Sequence, residues 1–219
     1  MLNILKILRI SHLIILIPAL TLISQAHAQD VPSCDVKQLK KKNSSVMDVI
    51  CDQALGRLYL KYSPNQRKIW IESESGEIHK TIRRLEKNAN PERIGADKNI
   101  RFITRKPVIA GQKHYIGLIV AERSMRGDGG GQCGAGSEEY FLAYRLAGNV
   151  VTEIHRSLIY SCIQGMILDS GDGNNNDFSV TFDGKVVEFK WLNYPGTDLY
   201  TLGHYDFTKN KLEITTSPP

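Results

Sequence analysis

What this chain has little of narrows its chemistry first. It carries four cysteines and two tryptophans in 219 residues, and no cysteine stands in a C-x-x-C spacing or beside a paired histidine. That spacing is what a zinc site ordinarily needs, so the cysteines do not point to metal. No Gly-Lys-Ser/Thr closes a glycine run, which leaves no Walker-type phosphate loop. An excess of one charge is missing too: 28 Lys and Arg stand against 23 Asp and Glu. The balance is too mild for a nucleic-acid partner, and Lys40-Lys41-Lys42 and Arg83-Arg84 read as solvated helix ends or faces. Long apolar runs are absent after the first 30 residues.

The run that is present, Leu13 to Ile23, follows Lys6 and Arg9 and precedes Ala26-His27-Ala28. This is the layout of a secretory signal peptide cut after Ala28. Its apolar core is shorter than the roughly 20 residues that a membrane span needs. The expected mature chain is therefore 29–219, periplasmic or secreted, with no stable membrane insertion after cleavage. Loss of Lys6 and Arg9 lowers the formal net charge from +5 to +3. All four cysteines, Cys34, Cys51, Cys133 and Cys162, lie in that mature part. In an oxidising compartment an even number implies disulfides. Of the possible pairings, sequence neighbourhood favours Cys34–Cys51 and Cys133–Cys162, since each pair sits within one candidate supersecondary unit.

Two hydrophobic periods divide the mature chain. Ser45-Val46-Met47-Asp48 has the form of a capping box. Met47, Cys51, Ala54, Leu55, Leu58, Tyr59 and Tyr62 follow at three- and four-residue steps, the stripe of an amphipathic helix that Pro64 ends. Ile78, Ile82, Leu85 and Ala89 suggest a second helix, while Ile69-Trp70-Ile71 is ambiguous between strand and helix. From Asn99 the period becomes two. Candidate strands cover 100–106, 114–122, 139–146, 150–159, 162–168, 178–182, 185–192, 199–206 and 211–216. Asp183-Gly184 reads as a type I′ hairpin turn, with positive φ at both central positions. The expected class is α+β: a helical N-terminal segment of two or three short helices over 29–98, then a mostly antiparallel meander over 99–219. The meander would form a curved sheet or a barrel-like sandwich.

Several stretches compete as functional sites. RGDGGGQCGAGSEEY, residues 126–140, packs six glycines between two strand patterns. Gly129, Gly131 and Gly134 satisfy G-x-G-x-x-G in letters only, because a dinucleotide loop must open a helix and a strand follows here. The favoured reading is a loop tethered through Cys133 to the strand that carries Cys162. Glu138, Glu139 and Tyr140 then offer an acidic spot to a protein partner. Asp169-Ser170-Gly171-Asp172 echoes the nucleophile segment of trypsin-like proteases without its flanking glycines, and His79, His114 and His155 stand in no supporting motif. Asp172, Asn174, Asn176 and Asp177 set hard oxygen donors at the spacing of a calcium loop, without the terminal glutamate of an EF-hand. Calcium is thus the one cofactor that the sequence raises. Glu138, Glu139, Glu153 and Asp169 are the carboxylates that glycoside cleavage would draw on. Tyr194, Tyr200, Tyr205, Trp191 and Phe189 concentrate aromatic surface in the last third, and an exposed subset would suit protein binding.

Cys34, Ile50-Cys51, Leu55, Leu58, Tyr62 and Gln66-Arg67-Lys68-Ile69-Trp70 stand in an order that resembles the N-terminal region of LprI-type lysozyme inhibitors. The likeness covers about a quarter of the chain, with a wider cysteine spacing and a shorter stretch before Gln66. The Ser-Gly-x-x-Tyr loop of MliC/PliC lysozyme inhibitors is completed neither by Gly136-Ser137-Glu138-Glu139-Tyr140 nor by Ser75-Gly76-Glu77-Ile78-His79. The resemblance implies an exported inhibitor or immunity protein that restrains a cell-wall hydrolase such as lysozyme and is not itself an enzyme. A small envelope hydrolase with an unassigned carboxylate site, or a calcium-dependent surface- or carbohydrate-binding module, are the competing expectations.

Overall fold

Residues 46–84 alternate or run apolar in short segments, and each segment forms a strand. The structure is a computed structural model that describes residues 37–39, 43–52, 55–63, 65–66, 68–84, 100–123, 137–169, 179–197 and 199–217. β1 (Val46–Asp52), β2 (Gly56–Ser63), β3 (Lys68–Ser73) and β4 (His79–Arg84) form an antiparallel sheet in chain order. Its register sets Ile50 against Leu58, Leu60 against Ile71 and Tyr62 against Ile69. These apolar residues share one face because side chains alternate along a strand.

The helical N-terminal segment expected from the sequence is therefore corrected to β-sheet. Of the described residues only 37–39 form a helical turn. The misleading stripe came from spacings of four, which fit a helix but are also even and so fit a strand. Leu58 and Tyr62 are four apart, and Leu60 between them is buried as well. Gly56, at φ 69°, ends the turn after Leu55 and opens β2, a backbone state that few side chains accept. The supposed capping box also works otherwise: Asp48 Oδ2 accepts the Phe102 amide at 2.9 Å, tying β1 to the next sheet.

The second sheet contains β5 (Ile100–Phe102), β6 (Val108–Ala110), β7 (Lys113–Arg123), β8 (Ser137–Ala147) and β9 (Val150–Ser161), in the order β5-β7-β8-β9 with β6 also on β7. The third contains β10 (Ile167–Leu168), β11 (Val180–Phe182), β12 (Val186–Asn193), β13 (Tyr200–Asp206) and β14 (Lys211–Ser217), in the order β10-β12-β13-β14 with β11 on β12. All pairings are antiparallel, and none of the three sheets closes on itself. The strand expected over 162–168 is cut to two residues, because 162–165 turn and Ser161 bridges Met166. The Asp183-Gly184 hairpin forms, with only Gly184 at positive φ (102°). Asp183 Oδ1 instead accepts the amides of Lys185 and Val186 at 2.8 and 2.7 Å.

Two apolar clusters order these sheets into layers. Ile50, Leu58, Leu60, Ile69 and Ile71 of the first sheet pack with Ile116, Leu118, Val120, Leu142, Tyr144 and Leu146 of the second. The other face of the second sheet, with Tyr115, Ile119, Phe141, Ala143 and Ile159, packs with Val187, Phe189, Trp191, Tyr205 and Phe207 of the third. The second sheet is thus the middle layer, apolar on both faces. That is why β7 and β8 read as nearly unbroken apolar runs, YIGLIVA and YFLAYRLA. Each fully buried Ile, Leu or Phe contributes about 1.5–3 kcal/mol. Val31–Pro219 form one compact unit.

Candidate partner-binding site

The glycine-rich stretch joins the end of β7 to the start of β8, so its frame is set by strand register. Residues 124–136, with Arg126-Gly127-Asp128 and Cys133, lie outside the described residues. Around them the register is clear: Glu138 pairs with Glu122 of β7 on one side and with Ser161 of β9 on the other. Two like charges directly opposite on one face repel, a cost to the folded protein. The Arg83 Nε stands 3.8 Å from a Glu122 oxygen, and its Nη1 is also engaged, donating to the Ala121 carbonyl at 3.0 Å.

Glu138 is held in place by hydroxyls. Tyr140 donates to its Oε2 at 3.0 Å and Ser161 to its Oε1 at 3.1 Å. A polar ladder continues along the same face. The Arg156 guanidinium lies 5.9 Å from the Tyr140 ring centre and donates to Glu153 at 3.0 and 3.2 Å, while the Tyr144 hydroxyl donates to Glu153 at 3.0 Å. Burial works to raise the Glu153 carboxyl, but the Arg156 hydrogen bonds and charge outweigh it and hold it below the usual range. Burial, the hydrogen bond to Glu138 and the charges of Glu138 and Glu122 push the Tyr140 hydroxyl up. Burial, then the neighbouring Glu153, pushes Tyr144 up further.

The structure brings Glu138 and Tyr140 together and sets Glu139 apart. Glu139 is 8 % exposed, its Oε2 is buried without a hydrogen-bond partner, and burial raises its carboxyl against the opposing charge of Arg101. Adjacent strand residues point to opposite faces, so Glu138 and Glu139 cannot make one spot. For the same reason the four carboxylates considered for glycoside cleavage do not converge. Glu139 faces away from Glu138 and Glu153, and Asp169, which follows β10, accepts the Tyr200 hydroxyl at 3.2 Å.

Cys51 and Cys162 are disulfide-bonded, whereas Cys34 and Cys133 lie outside the described residues. So do Ser170 and the calcium candidates Asp172, Asn174, Asn176 and Asp177. Of the aromatic residues in the last third, Phe189, Trp191 and Tyr205 are core, while Tyr194 and Tyr200 stay half-buried. His79 stacks on Trp70, with ring centres 5.9 Å apart. His114 Nδ1 lies 3.6 Å from Asp52, and His155 packs among aromatic rings.

Sequence reasoning missed Glu122, Arg83, Arg156 and Ser161. Glu122 ends a correctly expected strand, but its place beside Glu138 follows only from pairing across the undescribed stretch. No family model, no curated protein and no solved structure matches the chain.

Proposed function

We propose that this is an exported protein that binds a basic protein partner, a cell-wall hydrolase of the lysozyme kind, and restrains it as an inhibitor or immunity protein would. The observation that carries the reading is the Glu122–Glu138 pair at the end of the middle sheet, beside the glycine-rich stretch. Two carboxylates facing each other are a liability in the free protein, and a cationic side chain from a partner converts that liability into attraction. The hydroxyls of Tyr140 and Ser161 hold Glu138 before any partner arrives, which lowers the ordering cost of binding. Arg156 is engaged by Glu153, and Arg83 reaches one member of the pair, Glu122, at 3.8 Å, so two carboxylates share one nearby guanidinium and the pair keeps a net negative charge.

The test is calorimetric titration of the mature chain against a basic lysozyme-type hydrolase, at two salt concentrations, alongside the Glu122→Gln/Glu138→Gln variant. Binding is expected to weaken by about tenfold or more in the variant and to lose most of its salt dependence. A wild-type chain that binds no such hydrolase, or a folded variant that binds equally well, overturns the reading.

A further inference from the structure

Exposed apolar side chains are ordinary when scattered and informative when they gather. Among the described residues seven large ones are exposed, and four of these, Ile163, Ile167, Leu192 and Leu199, stand where β9 passes into β10 and β12 turns into β13. The register makes this one place. Ile167 pairs with Asn193, next to Leu192, and a Cβ on Gly165 would lie 3.8 Å from the Asn193 side-chain amide. Leu199 comes just after the turn in which Tyr194 bridges Thr197. No charged residue occurs from Ser157 to Leu168 or from Trp191 to Thr197.

This uncharged patch begins where the acidic pair ends. The Ser161 hydroxyl donates to Glu138 at 3.1 Å and accepts the Gln164 amide at 3.1 Å, while the Ser161 backbone exchanges bonds with Met166 at 3.0 and 2.9 Å. One serine thus fastens both Glu138 and the turn that presents Ile163.

We propose that the patch of Ile163, Ile167, Leu192 and Leu199 is the centre of the surface that binds the hydrolase, with the Glu122–Glu138 pair as its charged margin. The proposal rests on the reading of that pair given above and adds the chemistry of the partner: a basic protein whose cationic side chain is flanked by apolar surface. A charge-depleted centre with a polar rim is the usual anatomy of a protein interface. The exposed amides of Gln164 and Asn193, set among the apolar side chains, favour a protein occupant over a lipid layer. Acyl chains would leave those amides unbonded, whereas a protein surface can pair with them. The two parts then divide the work. The acidic pair governs attraction and its salt dependence, and the patch supplies the apolar burial.

The test is calorimetric titration against the same basic lysozyme-type hydrolase at several temperatures and two salt concentrations, with Leu192→Ser and Ile163→Ser/Leu192→Ser variants. Leu192 is 65 % exposed, so its replacement is expected to leave the melting temperature unchanged. Both variants are expected to bind less tightly, the double one by about tenfold or more, with a less negative heat-capacity change and the salt dependence of wild type. Variants that bind as tightly as wild type, while Glu122→Gln/Glu138→Gln weakens binding, overturn this proposal and leave the acidic pair standing. Sedimentation of the wild-type chain with neutral phospholipid vesicles, abolished by the same substitutions while hydrolase binding is unchanged, would assign the patch to a membrane surface and overturn it as well. A wild-type chain that binds no such hydrolase overturns both readings.

Discussion

The indole N–H of Trp191 on β12 donates to the carbonyl oxygen of Ile159 on β9 at 2.7 Å, a bond that crosses from the third sheet to the middle one. Trp191 is 1 % exposed, and its ring lies so close to Gly203 that a Cβ there would come within 2.6 Å of two ring carbons. The ring cannot retreat, because Phe189 stacks on it at 5.7 Å and Tyr194 meets it edge-on at 5.0 Å. Trp191→Phe is expected to cost about 1–3 kcal/mol by leaving a buried carbonyl unpaired. Gly203→Ala is expected to cost a similar amount by overpacking, about 1–3 kcal/mol. Equilibrium urea unfolding measures both, and a change under about 0.5 kcal/mol in either would show that the layers do not lock at this point.

Acid should loosen the same interface. His155 has a buried Nε2 without a hydrogen-bond partner, lies 4.6 Å from the Tyr205 ring and 6.1 Å from Phe141, and is pushed below its ordinary value of 6.5 by burial. A histidine held neutral in the fold takes up its proton first in the unfolded chain. Its contribution is therefore complete above the unfolded value and is lost as pH falls through 6.5 towards the lowered folded one. Glu139 acts in the opposite sense: raised above 4.5 by burial, it favours the fold at low pH and loses that contribution as pH rises through its folded value. Melting temperatures from pH 4 to 8 are expected to decline less on the acid side for His155→Phe than for wild type. Glu139→Gln is expected to gain most relative to wild type near neutrality. Parallel curves for all three proteins would contradict both assignments.

The disulfides that engage Cys51 and Cys162 are expected to reach Cys34 and Cys133 respectively. Closing loops of this length stabilises by about 3 kcal/mol each through the unfolded chain. Peptide mapping of unreduced mature protein should recover a 34–51 pair and a 133–162 pair, and reduction should lower the melting temperature. Any other connectivity would detach the glycine-rich stretch from the β9 end and remove its anchor beside Glu138.

The sequence made the second half of the protein readable because its strands are punctuated. Val, Ile, Tyr and Phe alternate between Asn, Asp and Gly turns, and strands appear close to the expected bounds at 113–123, 137–147, 150–161, 186–193 and 200–206. The first half misled because four is a multiple of both periods: Met47 and Cys51, like Leu58 and Tyr62, satisfy a helix and a strand equally. The β-branched Val46, Val49 and Ile50 and the chain reversal at Gly56 were the cues that separated them. At the site, Glu138 and Tyr140 followed from simple alternation, which also forbids grouping Glu139 with them. Glu122, Arg83 and Arg156 come from register and layer packing, which no local pattern specifies.

With both faces of β7 and β8 occupied, the protein offers no line along which it could be trimmed to a smaller working piece. A fragment beginning at Asn99 would uncover Ile116, Leu118 and Leu142, and one stopping at Cys162 would uncover Phe141 and Ile119. The acidic pair rides on these same two strands, so any attempt to isolate the recognition surface from its flanking layers would yield a sticky sheet instead of a minimal binder.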